Sequence, residues 1–376
     1  MRRYLLTLLI ATAAAAPAAE FADGVTAYKR GDFTTARQVF AELADAGEAR
    51  AQFALALMYD KGDGVATDDA RALELYTRAA EGGYPKAQLN LALMYERGEG
   101  VTKDAALARQ WLGQAAAGGN SEALDRFIKL AEGGDVEARF RLGTMYADGA
   151  GVPESAADAV RWYTQAAESG HAKAQHNLAL IYETGAGVAA DPMKAAEWYG
   201  RAAAQDHAGA AYNLGLLHLA GQGVAKDAAK AVALFEQAAG AGNPRAQFAL
   251  GLLHAEGKDV PKDEARAAQW WTDAARAGNV EAQVNLGLMY AEGRGVGKDE
   301  VQAYAWWALA QGKNTVARDN LNALAPRLSP EQIEQANQRL PQLLHEADAG
   351  PPPDHTATLP DVPASAPGGA SDQTSR

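Results

Sequence analysis

The chain has 376 residues, 48% of them hydrophobic, no cysteine and a formal net charge of −12. Without cysteine there is no structural disulfide, no thiolate metal site and no lipid-modified N-terminal cysteine. The acidic balance argues against a nucleic-acid partner, because phosphate binding needs a basic face.

The N-terminus reads as an export signal. Met1-Arg2-Arg3 is a short positive region, and LLTLLIATAAAA (5–16) is an apolar run too short to span a bilayer. Ala16-Pro17-Ala18 fits the small-x-small rule, so residues 1–18 are expected to be a signal peptide cleaved after Ala18. The alternative is an uncleaved anchor. Export to the periplasm, or to the medium, follows from the signal. No later stretch is long and apolar enough for a membrane helix.

The body of the chain is repetitive. LALMYDKGDGV (55–65) returns as LALMYERGEGV (91–101), LALIYETGAGV (178–188) and LGLMYAEGRGV (286–296). Repeats start at Ala51, Ala87, Ala138, Ala174, Ala210, Ala246 and Ala282, 36 residues apart in every case but one. The fifth position is Leu55, Leu91, Leu142, Leu178, Leu214, Leu250 and Leu286. The ninth is Tyr59, Tyr95, Tyr146, Tyr182, His218, His254 and Tyr290. These two positions share one helical face. Gly62, Gly98, Gly149, Gly185, Gly221, Gly257 and Gly293 then stop the helix. A second Gly and a Val follow, except where Asp259 replaces that Gly. A second helix starts at the N-caps Asp68, Asp104, Ser155, Asp191, Asp227, Asp263 and Asp299. It carries a small residue (Ala72, Ala108, Ala159, Ala195, Ala231, Ala267, Ala303), then bulky pairs such as Trp162-Tyr163 and Trp306-Trp307. Each repeat is thus a helix–turn–helix pair that buries its apolar face only against its neighbours.

The pattern A-Q-x-x-L-[AG]-x-x-Y-x-x-G-x-G-V-x-x-D-x-x-x-A-x-x-[WL]-[YFWL]-x-x-A-A resembles the Sel-one-like repeat (SLR), a relative of the tetratricopeptide repeat, over residues 48–315. The resemblance implies an all-α fold: a right-handed α-solenoid of stacked helix–turn–helix repeats, a tetratricopeptide/SLR-like superhelix. It also implies protein binding, no catalytic residues and no cofactor, and a setting in which bacterial members serve as exported adaptors.

Ala87 to Ala138 spans one repeat plus 15 residues. The extra segment, ALDRFIKLAEGGDVE (123–137), aligns with ALELYTRAAEGGYPK (72–86) and reads as a second helix without its first. Either it packs locally or the stack changes direction there. Before the array, residues 21–47 resemble a tetratricopeptide capping pair with Gly31-Asp32-Phe33 as its turn. After it, 316–346 reads as capping helices, with Ser329-Pro330-Glu331-Gln332 a capping-box start and Ile333, Ala336, Leu340 and Leu343 on one apolar face. Residues 347–376 contain six Pro and no aromatic, a composition expected of disorder.

No catalytic or metal constellation stands out. No two His sit at zinc-protease spacing with a carboxylate, and His218 and His254 read as ring-for-ring replacements of a core Tyr. GEGV and GAGV lack the strand and Lys of a phosphate loop.

The functional signal is an excess of apolar residues on the first helix. At about 100° per residue, the third and seventh positions lie roughly 160° and 200° from the core Leu. They hold Phe53 and Leu57, Leu89 and Leu93, Phe140 and Thr144, His176 and Leu180, Tyr212 and Leu216, Phe248 and Leu252, Val284 and Leu288. In tetratricopeptide-like stacks this face lines the concave groove, where a helix or extended peptide binds. Self-burial in a tight superhelix is the competing reading. The function expected is a non-enzymatic adaptor for protein or peptide partners in the envelope. The alternatives are a periplasmic regulator that inhibits a sensor kinase ectodomain, and an accessory factor of a cell-wall or polysaccharide machine.

Overall fold

A computed structural model describes residues 20–348. The expected signal peptide and the Pro-rich tail beyond Asp348 lie outside the described residues. Among these, all regular structure is helical and there is no strand. The chain divides into two compact units, one ending at Glu154 and the other starting at Ser155.

The first unit contains α1 (Phe21–Lys29), α2 (Phe33–Asp45), α3 (Ala49–Lys61), α4 (Asp69–Glu81), α5 (Pro85–Arg97), α6 (Ala105–Ala117), α7 (Ser121–Glu132) and α8 (Val136–Asp148). The second contains α9 (Ala156–Glu168), α10 (Ala172–Thr184), α11 (Pro192–Ala203), α12 (Ala208–Ala220), α13 (Ala228–Gly240) and α14 (Pro244–Glu256). It continues with α15 (Glu264–Arg276), α16 (Val280–Glu292), α17 (Glu300–Ala310), α18 (Thr315–Leu324) and α19 (Pro330–Asp348). Within each unit, helices from α1 to α18 pack on their neighbours in chain order. This is an α-solenoid of helix–turn–helix repeats.

The helices begin and end where local chemistry dictates. Every expected N-cap accepts a backbone N–H of its helix: Asp68 from Arg71, Asp104 from Ala106 and Leu107, Ser155 from Asp158, Asp191 from Lys194, Asp227 from Lys230, Asp263 from Arg266 and Asp299 from Gln302. Each cap satisfies an N–H left without an intrahelical partner. First helices end at a left-handed Gly, such as Gly62 at φ 77°. The second Gly has another cause. A Cβ at Gly223 or Gly295 would collide with the first residue of the preceding second helix, at the carbonyls of Pro192 and Glu264. Asp259, in the one loop without that Gly, instead places its carboxylate 3.4 Å from Lys226 Nζ.

The core is the expected Leu column. Leu91, Leu142, Leu178, Leu250 and Leu286 are inaccessible, and Leu55 and Leu214 are nearly so. A second fastening joins consecutive repeats. Gln at the second position donates Nε2–H to a carbonyl near the end of the preceding second-type helix: Gln52 to Ala44, Gln88 to Ala80, Gln175 to Ala167, Gln247 to Ala239 and Gln283 to Ala275, at 3.0–3.4 Å. Arg139 does the same through Nε to Ala131 at 2.9 Å. These carbonyls belong to the helix end, where the i+4 donor is missing.

The extra segment is a full helix, α7, capped by Asn120 and burying Ala123, Phe127 and Ala131. It packs on both α6 and α8, and α6 still touches α8. It does not take over the second helix's role toward the next loop. Gly151 lies against the carbonyl of Ala116 at the end of α6, whereas other second Gly residues meet the start of a helix.

α1 and α2 form the N-terminal pair, with Asp32 capping α2 through the Thr35 N–H. At the other end, Ser329 and Gln332 make the reciprocal capping box: Ser329 N–H donates to Gln332 Oε1 at 2.8 Å, and Gln332 N–H to Ser329 Oγ at 3.3 Å. Ala336 and Leu343 bury with Trp271 and Trp306, and Arg339 reaches back 40 residues to Asp299. α19 runs to Asp348, two residues beyond the boundary expected from the sequence.

Candidate protein-binding face

Three third-position rings rest on the second helix of their own repeat. Phe53 lies between Tyr76 and Tyr84, with centroids 5.8 and 5.2 Å away. Tyr212 meets Phe235 at 5.7 Å, and Phe248 stacks on Trp271 at 6.4 Å. Leu89 and His176 are buried, while Phe140 and Val284 are half-buried. These rings are therefore shared between a helix face and the interior. The indoles are held from the other side: Trp271 and Trp307 donate Nε1–H to the carbonyls of Phe248 and Val284 at 3.3 and 3.1 Å.

The seventh position is more open. Leu57, Leu93, Thr144, Leu180 and Leu252 are half-buried, and Leu216 is 39% exposed. Leu288 and Val284 pack into the cluster formed with Leu321 of α18, so the capping helix covers that end of the row. Within the second unit, Leu180, Leu216 and Leu252 thus form the accessible apolar part of the first-helix face.

Polar groups around these faces tie helices together. Tyr76 OH donates to Asp60 Oδ2 at 3.0 Å, and Tyr199 OH to Glu183 Oε2 at 2.6 Å. Burial, then the adjacent carboxylate, pushes both phenols well above their ordinary range. Burial also raises Tyr212, opposed by Arg245. Burial and the Glu154 carboxylate raise Asp148. His218 is buried and lies 3.3 Å from the Ala225 carbonyl, which its Nδ1–H can reach, and His254 is also buried. Among the described residues there is no group of three or more His, Cys, Asp or Glu side chains able to hold a metal ion. None of their helices is long and apolar enough to cross a membrane.

Two features escaped sequence reasoning. The second-position Gln is visible as a recurring letter, but its partner lies on another helix. His171 and His207 act as N-caps of α10 and α12, with Nδ1 accepting the N–H of Ala174 and Ala210, each at 3.1 Å. The usable signal was their register, one residue before a helix, where Asp135, Asn243 and Asn279 cap other repeats.

A comparison with curated proteins gives no match. Among solved structures, a Sel1 repeat protein from Oxalobacter formigenes is 34% identical, with 80% of this chain and 86% of that one covered and a TM-score of 0.51. A protective antigen of uropathogenic Escherichia coli strains, c5321, which displays an SLR fold, is 31% identical over 87% of this chain and 84% of its own, with a TM-score of 0.41. The Sel1 repeat model matches residues 49–84, 85–120, 136–171, 172–207, 208–243, 244–279 and 280–310. With caps, Leu column and turn glycines recurring in phase through these segments, the chain belongs to the Sel1 repeat family.

Proposed function

We propose that the chain is a non-enzymatic adaptor, exported to the bacterial envelope, that binds a protein or peptide partner on its first-helix face. Sel1 repeats generally mediate protein–protein interaction, and the family is typically a non-enzymatic scaffold. Export rests on the sequence of residues 1–18. The observation that carries the binding face is the accessible Leu180, Leu216 and Leu252 row beside third-position rings. Apolar anchors at helical spacing suit an amphipathic helix or an extended segment. A sensor kinase ectodomain and a wall or polysaccharide machine are the partner classes compatible with that location.

The test places a photo-crosslinking amino acid at Leu216 and, as a control, at the exposed Glu236 on the second helix of the same repeat. A discrete adduct in cells from position 216 and none from 236 is expected. Equal labelling from both positions would remove the assignment of the face. Export has its own readout: the mature protein should begin at Ala19 and fractionate with the periplasm or medium.

A further inference from the structure

The junction between α11 and α12 departs from the other repeats at three positions. Asp206 adopts φ 59° where the equivalent turns carry Gly, such as Gly170. Ala211 stands where five repeats have the fastening Gln and one has Arg139. The N-cap is His207, a residue type shared only with His171 of α10 among the repeat caps. Gly209 occupies a position that carries Arg50, Lys86, Glu137, Lys173, Arg245 or Glu281 elsewhere. In this gap the His207 ring stacks on His176 of α10, centroids 4.6 Å apart and planes inclined by 24°. The pair replaces the Phe53–Tyr84 contact of the first repeat.

This arrangement requires neutral imidazoles. His207 Nδ1 uses its lone pair to accept the Ala210 N–H, so the ring proton lies on Nε2. Buried His176 has Nδ1 3.4 Å from Asn177 Oδ1 and Nε2 3.4 Å from Asn213 Nδ2; Nδ1 donates and Nε2 accepts. A proton added to His207 removes the cap acceptor and places a cation at a helix N-terminus, where the dipole opposes it. A proton added to His176 sets two donors against each other at Asn213. α12 has no Asp, Glu, Lys or Arg to compensate.

The ionisable groups on the surrounding elements are largely engaged. On α10, Glu183 is bonded to Tyr199, and Lys173 is exposed. On α11, Arg201 pairs with Glu197 and Lys194 with Asp191. Asp206 in the turn faces Gln237 Nε2 of α13 at 3.5 Å. α13 also carries Lys230 and exposed Glu236, while Arg245 of α14 acts on Tyr212.

We propose that the α11–α12 junction is a proton-sensitive joint, in which protonation of His207 and of His176 stacked on it releases the start of α12 and loosens the fourth repeat from the fifth. A free imidazole takes up its proton at about pH 6.5, so the released form of the joint gains weight as the pH falls below that value. His171 gives α10 the same kind of cap.

The test is hydrogen exchange on the full chain at pH 7.5 and 5.5, with labelling times corrected for intrinsic exchange. In the wild type, peptides covering 205–215 should lose protection roughly fivefold or more at the lower pH. In His207→Asn, which borrows the cap used at Asn243 and Asn279, the loss at the lower pH should shrink to the part that His176 contributes. An equal loss in His207→Asn, or no loss in the wild type, would overturn the proposal. Should the variant fail to fold, the wild type still decides. Loss at 205–215 with retention at the Asn-capped segments 243–251 and 279–287 supports the joint, and uniform loss refutes it.

Discussion

Gln237 Nε2 donates to the carbonyl of Ala203 at 2.7 Å. This carbonyl is the one that residue 211 would reach if it were Gln, as Gln175 and Gln247 do in the flanking repeats. The fifth repeat has thus lost its fastening from the first helix and regained it from the second. Arg78, at the same register in the first repeat, adds a bond to Ala44 beside that of Gln52.

Gln237→Ala should therefore cost about 1 kcal/mol, the usual net value of a hydrogen bond in a folded protein. Gln88→Ala, which removes the ordinary fastening, should cost a similar amount. Adding Ala211→Gln to Gln237→Ala should restore most of the loss. Urea denaturation of the two singles and the double variant measures the coupling. Purely additive effects would show that the two routes do not share the Ala203 carbonyl.

Gly251→Ala tests close packing against helix propensity. In an exposed helix the change should stabilise by about 1 kcal/mol. Here a Cβ would enter the space of the Trp271 ring, and Gly287 meets Trp307 in the same way. Overpacking of a core costs typically 1–3 kcal/mol, so net destabilisation is expected. A raised melting temperature would mean the indole moves aside freely.

Leu214→Ala removes a nearly inaccessible side chain from the Leu column. The expected loss is about 2–5 kcal/mol from cavity formation. Coupling between neighbours should carry part of that loss into the fourth and sixth repeats. Hydrogen exchange on α10 and α14 measures the spread, and an unchanged melt would contradict the helix-pair assignment.

Deleting residues 121–135 restores the 36-residue register by joining Asn120 to Val136. The joint then reads as Asn279-Val280 does in the seventh repeat. The shortened chain should fold, with Asn120 capping α8 at Ala138 as Asn279 caps α16 at Ala282. Gly151 should move from the end of α6 to its start, near Ala105. A crystal structure of the deletion chain checks both contacts, and loss of cooperative unfolding would show that α7 is indispensable to the first unit.

The caps and the Leu column were legible because they are local: Asp227 and Lys230, or Leu214 and His218, sit within a turn of each other and recur in phase. The same holds for Ser329 and Gln332. What stayed hidden depends on partners at a distance. Helical angle alone places the third-position rings away from the core. That angle does not show that Tyr76 or Trp271 of the second helix is long enough to meet Phe53 or Phe248. The His caps were missed because imidazole is an uncommon acceptor at a helix start. α7 was recognised as a helix from its alignment, but the contact of Gly151 with Ala116 depends on how three consecutive helices pack.

The bond from Arg339 to Asp299 reaches 40 residues along the chain, that from Gln237 to Ala203 reaches 34, and the second-position Gln fastenings reach eight. With ties no longer than about one repeat among the described residues, tension along the array loads each repeat against its neighbour. Held in an optical trap, the chain should pay out in steps of one repeat. Each step should release about 120 Å of extended polypeptide, at close to 3.4 Å per residue. A chain with this wiring would behave under load as a series of small ratchets.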